Sequence, residues 1–386
     1  MHICFICDEY PPSRHGGNGS LTQTLGRALA RDGGRVTVAG VYPIGKTIRE
    51  EDEGVSVIRL PQAVVRGASS IINGARLART LRALNRQSPI DVLEGSELSF
   101  ANFRPGATAT TIIRMNGGHH FSAAALGRRP EILKGWQEKR SFARADELCA
   151  ANEFVAESAR ELLELGDRPI EILPAPVDTE RFKPRPDIHE EDGLILFIGA
   201  LCEMKGAQRL IQALPRIVAT VPRSRLLLIG RDSVDPVSGA SFKSLLKKMI
   251  EPALRSRVEF VNFIENRLLP EILASASVCV YPSRYEAHGI AVIEAMAMGK
   301  AVVTGNTGPG RELVEDDISG MLCDPNDPDS IASKVINLLS DSQLRRQIGA
   351  HARLRAVNKF SVEALLRMNI EFYHRSVELR RMRMKE

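Results

Sequence analysis

Two carboxylates carry the densest chemical signal in the chain. In SRYEAHGIAVIEAMAMGKAVV, residues 283–303, Glu286 and Glu294 stand eight positions apart among mostly small or apolar residues. Residues 290–298 are apolar but for Glu294, so a helix beginning near Gly289 would be buried on every face. A carboxylate there costs several kcal/mol, as an order of magnitude, unless it is paired or hydrogen-bonded. No cation stands three or four positions away. A pair of ligand hydroxyls would satisfy it, because an ionised carboxylate accepts two hydrogen bonds at once. Eight residues turn a continuous helix by about 800°, leaving the side chains about 80° apart, so the two acids need not share a target. Between them the backbone N–H groups of Gly289, Ile290 and Ala291 open a helix and suit a phosphate. A polyhydroxylated ligand with a phosphate in its middle fits; a capping acid plus a structural glutamate is the plainer alternative.

Three other stretches could serve such a ligand. In LFIGALCEMKGAQRLIQAL, 196–214, Lys205 sits in a strand-to-helix loop, where an ammonium can hold a phosphate as a point charge. In DEYPPSRHGGNGSLTQTLGRALA, 8–30, Gly16, Gly17 and Gly19 permit close backbone approach at a helix head. The dinucleotide fingerprint is not matched there, and RVTVAGVY ends without a ribose-binding acid, which argues against a nicotinamide enzyme. In TIIRMNGGHHFSAAALGRRP, 111–130, a strand ends in Asn116, Gly117, Gly118, His119 and His120. The histidines could act as acid or base or donate to a sugar hydroxyl, and without a third ligand at metal spacing zinc is not expected. DPNDPD, 324–329, lacks the closing glutamate of a calcium loop and reads as a helix cap.

The elements that must position these residues are parallel α/β units. Strands are expected at HICFIC, RVTVAGVY, VSVIRL, DVLEG, TIIRM and ELCAAN, then at LILFIG, RLLLIG, VEFVNF, SVCVYPS and AVVTGN. The proline-rich, charged segment 174–193 reads as a linker. The division predicted is a first domain over 1–180 and a second over 181–360, with a basic amphipathic helix over 361–386 packing back on the first. Two doubly wound domains invite a ligand in the cleft between them, outside the carboxyl ends of their strands.

The chain has 386 residues, 44% apolar and 26% charged, with a net charge of +5. That favours anionic ligands but is too small for nucleic acid, and aromatics at 5% offer no stacking surface. No apolar run approaches the about 18 residues of a membrane span, and six cysteines fit a reduced, cytoplasmic setting. Cys4 and Cys7 form a C-x-x-C inside an apolar strand and read as core. Arg76, Arg79, Arg82 and Arg86 recur at helical spacing, a face that could dock on anionic lipid or be merely solvated.

Taken together, these motifs resemble family 4 of the retaining glycosyltransferases. YPSRYEAHGIAVIEAMAMGKAVV looks like that family's E-x7-E signature, and GNTGPGRELVEDDISGMLCDPNDPDSIA like the segment that follows it. FIGALCEMKG, LLLIGRD and PAPVDTERF match three further landmarks, so the resemblance runs along nearly the whole chain. It implies the GT-B fold, two Rossmann-like α/β domains facing across a cleft. It implies that Glu294 holds the ribose of a nucleotide sugar (UDP among the candidates), that Glu286 contacts the donor sugar, and that Lys205 with the amides of Gly289, Ile290 and Ala291 receives the diphosphate. It further implies that the base lies near Arg231 and Ile264, that Gly16 and Gly17 approach the phosphate, and that no metal or other cofactor is needed. The acceptor would be a glycan or lipid-linked glycan of cell-surface polysaccharide synthesis. Two positions depart from the pattern: Ala200 replaces the usual arginine, and Asn116 the usual histidine, with His119 and His120 just beyond. His288 stands where an aromatic is common. A nucleotide-sugar epimerase of the same fold and a non-catalytic sensor remain the alternatives.

Overall fold

The computed structural model describes residues 1–13, 16–104, 109–235, 238–262 and 264–384. It separates into two compact units, one built from 1–176 and 362–386, the other from 177–361.

The first unit holds strands β1 (His2–Ile6), β2 (Arg35–Tyr42), β3 (Ile48–Asp52), β4 (Val55–Pro61), β5 (Val92–Gly95), β6 (Thr110–Met115), β7 (Glu147–Ala150) and β8 (Glu171–Ile172). Its helices are α1 (Gly17–Arg31), α2 (Ser69–Gln87), α3 (His119–Ala125), α4 (Ile132–Phe142) and α5 (Glu153–Leu163). The sheet order is β3-β4-β2-β1-β5-β6-β7-β8, parallel except for β3. Strands β1 and β6 are buried along their whole length, as parallel strands covered on both faces must be. Every strand expected in this half is present. The antiparallel β3 was not foreseen. IREED is charged and mostly exposed; it follows from a hairpin whose Glu53 and Gly54 have φ of 46° and 85°, with Asp52 held by Arg27 and Tyr10 and Glu50 by Arg59.

The second unit holds β9 (Leu194–Ile198), β10 (Arg225–Ile229), β11 (Val258–Val261), β12 (Val278–Tyr281), β13 (Ala301–Gly305) and β14 (Met321–Cys323) in the all-parallel order β11-β10-β9-β12-β13-β14. Helices α6 (Ala207–Thr220), α7 (Phe242–Met249), α8 (Leu269–Ser275), α9 (Ile290–Ala297), α10 (Gly310–Leu313), α11 (Pro328–Ser340) and α12 (Ser342–Arg355) complete it. The segment read as a linker is folded into this unit from Val177 onward. The Val177 N–H donates to Phe360, Phe182 is buried, and Arg353 Nη1 donates to the carbonyls of Thr179 and Phe182 at 2.9 Å each. Proline and charge there mark a tight turn rather than slack chain.

Helix α13 (Val362–Arg383) belongs to the first unit. Its anchor is a buried polar cluster. Arg114 on β6 donates Nε to Glu94 Oε1 on β5 at 2.7 Å and Nη2 to Asn369 Oδ1 at 2.7 Å, and the Tyr373 hydroxyl donates to Glu94 Oε2 at 2.8 Å. Both charges are 2% exposed, so each depends on the other. Burial pushes the thiols of Cys4 and Cys7 up to about 12, as befits core residues. Among the described residues no helix is long and apolar enough to cross a membrane.

Removing one partner strands the other in the core. Arg114→Leu should cost roughly 3–5 kcal/mol and Tyr373→Phe about 1–3 kcal/mol. The lone tryptophan, Trp136, lies in the first unit, so its fluorescence in urea reads that unit's transition. Unchanged midpoints for both variants would refute the anchor.

Candidate functional site

In the second sheet the chain reverses its direction of growth between the neighbours β9 and β12. Loops leaving the carboxyl ends of such strands run apart and open a crevice. The loop after β9 passes Gly199 and Ala200, makes one tight turn over Glu203–Lys205, and enters α6 through Gly206. Gly206 has φ 76°, and a Cβ there would sit 1.9 Å from the carbonyl oxygen of Pro282, so only glycine lets the two loops meet. The loop after β12 completes the contact, with the Arg284 N–H donating to the Met204 carbonyl at 2.9 Å. Lys205 Nζ then reaches Glu286 Oε2 at 2.6 Å, the side chains 25% and 23% exposed. Burial pushes the Glu286 carboxyl up, but Lys205, His288 and the Gly289 N–H outweigh it and hold the group below its ordinary value. Glu286 is therefore a carboxylate paired with an ammonium at the mouth of the crevice.

Gly289 follows with φ 68°, and a Cβ there would lie 2.3 Å from Leu313 Cδ1. This sharp entry starts α9 at Ile290. The first-turn amides of Ile290 and Ala291 have no acceptor within the helix and sit half-buried at its head. From Val292 to Ala297 every residue is buried, Glu294 included at 8% exposure. Burial pushes the Glu294 carboxyl up to about 7, and Arg181 is the charge that pulls against it. Arg181 lies in the turn that Arg353 holds, and the same Arg353 nitrogen donates to the Ala297 carbonyl at the end of α9 at 2.9 Å. Counting cations only one helical turn away from Glu294 missed it, because the link is tertiary. Arg231 is exposed just past β10, its carbonyl accepting the Leu201 N–H at 2.8 Å, and Ile264 packs half-buried on the apolar cluster around α9.

The candidates from the first half lie in the other unit. Glu9 accepts the N–H groups of Gly16 at 3.0 Å and Gly19 at 3.3 Å, so an internal carboxylate already occupies the head of α1, while Gly17 is exposed. Arg14 and His15, also in that loop, lie outside the described residues. The loop after β6 is likewise held by acids. The Asn116 N–H donates to Glu97 at 2.5 Å, and the N–H groups of His119 and His120 donate to Glu138 at 2.7 and 2.9 Å. The His120 Nδ1 also meets Glu138, and the His119 Nε2 accepts the Glu131 N–H at 2.8 Å. Glu97 and Glu138 gave no sequence signal: one sits in a polar turn, the other in a charged helical stretch. Of the arginine stripe on α2, Arg79, Arg82 and Arg86 are exposed, whereas Arg76 turns back to donate to the Pro61 carbonyl.

The raised Glu294 value has a signed consequence. The folded-state value of about 7 exceeds the usual 4.5, so folding carries no ionisation penalty below pH 4.5. Stability is given up as pH rises from there through 7 and is level above, with a loss on the order of 3 kcal/mol. Glu294→Gln should leave urea stability near unchanged at pH 4.5 and raise it at pH 8; an equal effect at both would contradict the placement.

A family model described as Glycosyl transferases group 1 matches residues 178–355, and one described as Glycosyltransferase Family 4 matches residues 15–181. The glycogen synthase of Mycobacterium tuberculosis is 26% identical over 407 residues, covering 97% of this chain and 94% of that protein. A GDP-mannose-dependent alpha-(1-6)-phosphatidylinositol monomannoside mannosyltransferase of the same organism is 25% identical, covering 91% and 92%. Among solved structures, the sucrose-phosphate synthase of Thermosynechococcus elongatus matches with a TM-score of 0.79 at 21% identity, over 97% of this chain and 98% of that one. Along both units, the chain belongs to the family 4 glycosyltransferases and has their GT-B fold.

Proposed function

We propose that the second unit binds a nucleotide-diphosphate sugar at the head of α9. The chain then moves the sugar, with retained anomeric configuration, to a hydroxyl of a glycan or glycolipid acceptor. The observation that carries this is the Lys205–Glu286 pair at the reversal between β9 and β12, with Glu294 one helical stretch further on. Glu294 receives the two ribose hydroxyls, which replace the water its carboxylate has lost. The amides of Ile290 and Ala291 take the diphosphate, and Glu286 takes a hydroxyl of the sugar. Arg231 and Ile264 flank the base. In the transfer, the acceptor oxygen bonds to the anomeric carbon as the bond from that carbon to the phosphate oxygen breaks. The acceptor's proton passes to the departing phosphate, whose growing charge Lys205 and the helix amides stabilise. Those groups supply the positive charge, and we propose that no metal or other cofactor takes part. Ala200 offers no cation to the phosphates, which places a larger share of that work on Lys205.

Two of these relatives inform the acceptor class. Glycogen synthase is named for a polysaccharide, and the mannosyltransferase for a GDP-sugar and a phosphatidylinositol mannoside. Both fit assembly of a polysaccharide or glycoconjugate by this chain.

A thermal-shift series with UDP-, GDP- and ADP-glucose and GDP-mannose tests the donor site. One of them should raise the melting temperature of the wild type, and Glu294→Ala should abolish that shift. Lys205→Ala should still bind the nucleotide yet lose turnover on the order of 10²–10³-fold. Should no nucleotide sugar stabilise the wild type, or should Glu294→Ala respond equally, the assignment falls.

A further inference from the structure

Glu138 is a charge without an obvious reason to be inside. It comes from the inner face of α4, whose outer face exposes Ile132 and Trp136, and it is 1% exposed itself. Burying an acid without partners costs several kcal/mol as an order of magnitude. Its partners come from the first turn of α3: the N–H groups of His119 and His120 and the Nδ1 of His120. Gly118, just ahead of them, is pressed from two sides. A Cβ there would lie 1.8 Å from Glu138 Oε1 and 2.7 Å from Glu97 Cγ. Glu97, 6% exposed, takes the Asn116 and Gly117 amides. These amides, the natural cradle for an anion, are thus engaged by the protein's own acids.

The ring of His120 is fixed as firmly as the backbone. A carboxylate only accepts, so Nδ1 carries a proton, and in the uncharged ring Nε2 is then the acceptor. The Nε2 edge lies over Gly135 of α4, 3.3 Å from where a Cβ would stand. His119 is held differently, through Nε2 at the start of α4. The two histidines therefore do not share a role: one secures α4, the other is oriented by Glu138.

We propose that Glu138 is a positioning residue for sugar transfer, setting the 116–120 loop and the tautomer of His120 from within the first unit. It acts through His120 and the loop backbone. The loop so built recognises neutral hydroxyls rather than a phosphate, because two internal acids already occupy its donors. This rests on the donor site proposed above, and two separate readouts keep their failures apart.

The first readout is the ¹⁵N spectrum of histidine-labelled protein. His120 should show a protonated Nδ1 in the wild type and lose that preference in Glu138→Gln; a wild-type ring protonated at Nε2 alone overturns the proposal whatever the donor proves to be. The second readout is turnover of UDP-glucose, GDP-mannose and ADP-glucose, beside calorimetric binding of UDP, GDP and ADP. Glu138→Gln and His120→Ala should lower kcat roughly ten- to hundredfold while nucleotide affinity stays within about twofold. If His120→Ala keeps its kcat, or Glu138→Gln turns over normally, the proposal is wrong. Should Glu138→Gln not fold, Gly135→Ala displaces the ring with the carboxylate in place and should lower kcat in the same direction; normal turnover there overturns it too.

Discussion

A carboxylate taken out of water must find donors, and this constraint organises both units. Glu94 finds Arg114, Glu9 finds two amides at the head of α1, and Glu138 finds two amides and a ring nitrogen. Glu286 finds Lys205. Glu294 differs in its donors: it stands on a helix buried all round with Arg181 acting on it only at a distance, and burial pushes its carboxyl up to about 7, as it does that of Glu97, which at least accepts the Asn116 N–H. An acid left in that condition is costly to the folded chain, and costs of this kind collect where a ligand repays them. The proposed donor site follows from that asymmetry among otherwise satisfied acids.

The geometry that makes the asymmetry possible is backbone geometry. Gly206 and Gly289 both have positive φ and both stand where a Cβ would collide, with Pro282 in one case and Leu313 in the other. They bring the loops after β9 and β12 together and turn the chain abruptly into α9. Lys205 and Glu286 are neighbours because of these close approaches. Their distance in sequence says nothing of it.

Much of the fold was legible because parallel strands are buried on both faces and so read as unbroken apolar runs, as LILFI and VCVY do. What escaped was charged or very short. β3 is a charged edge, β8 is two residues long, and β14 is three. Proline and charge in 174–193 misled for a related reason: the groups that tie this turn down, the Phe360 carbonyl and the Arg353 guanidinium, come from far along the chain. At the site the same division holds. The oddity of Glu286 and Glu294 was local, a charge in an apolar run, and could be read directly. Arg181, Glu9, Glu97 and Glu138 act on residues brought to them by the fold, and nothing in their own surroundings marks them. The pair His119 and His120 looked equivalent in sequence, yet one ring faces the start of α4 and the other its middle.

The central claim is that Glu294 is a ribose ligand and not a stray core acid. A crystal structure of the protein with the nucleotide sugar that stabilises it most tests this directly. The account predicts both ribose hydroxyls within hydrogen-bonding distance of the Glu294 carboxylate, the diphosphate on the amides of Ile290 and Ala291, and Lys205 turned from Glu286 toward phosphate. A nucleotide seated elsewhere, with Glu294 still facing only Arg181, would contradict it.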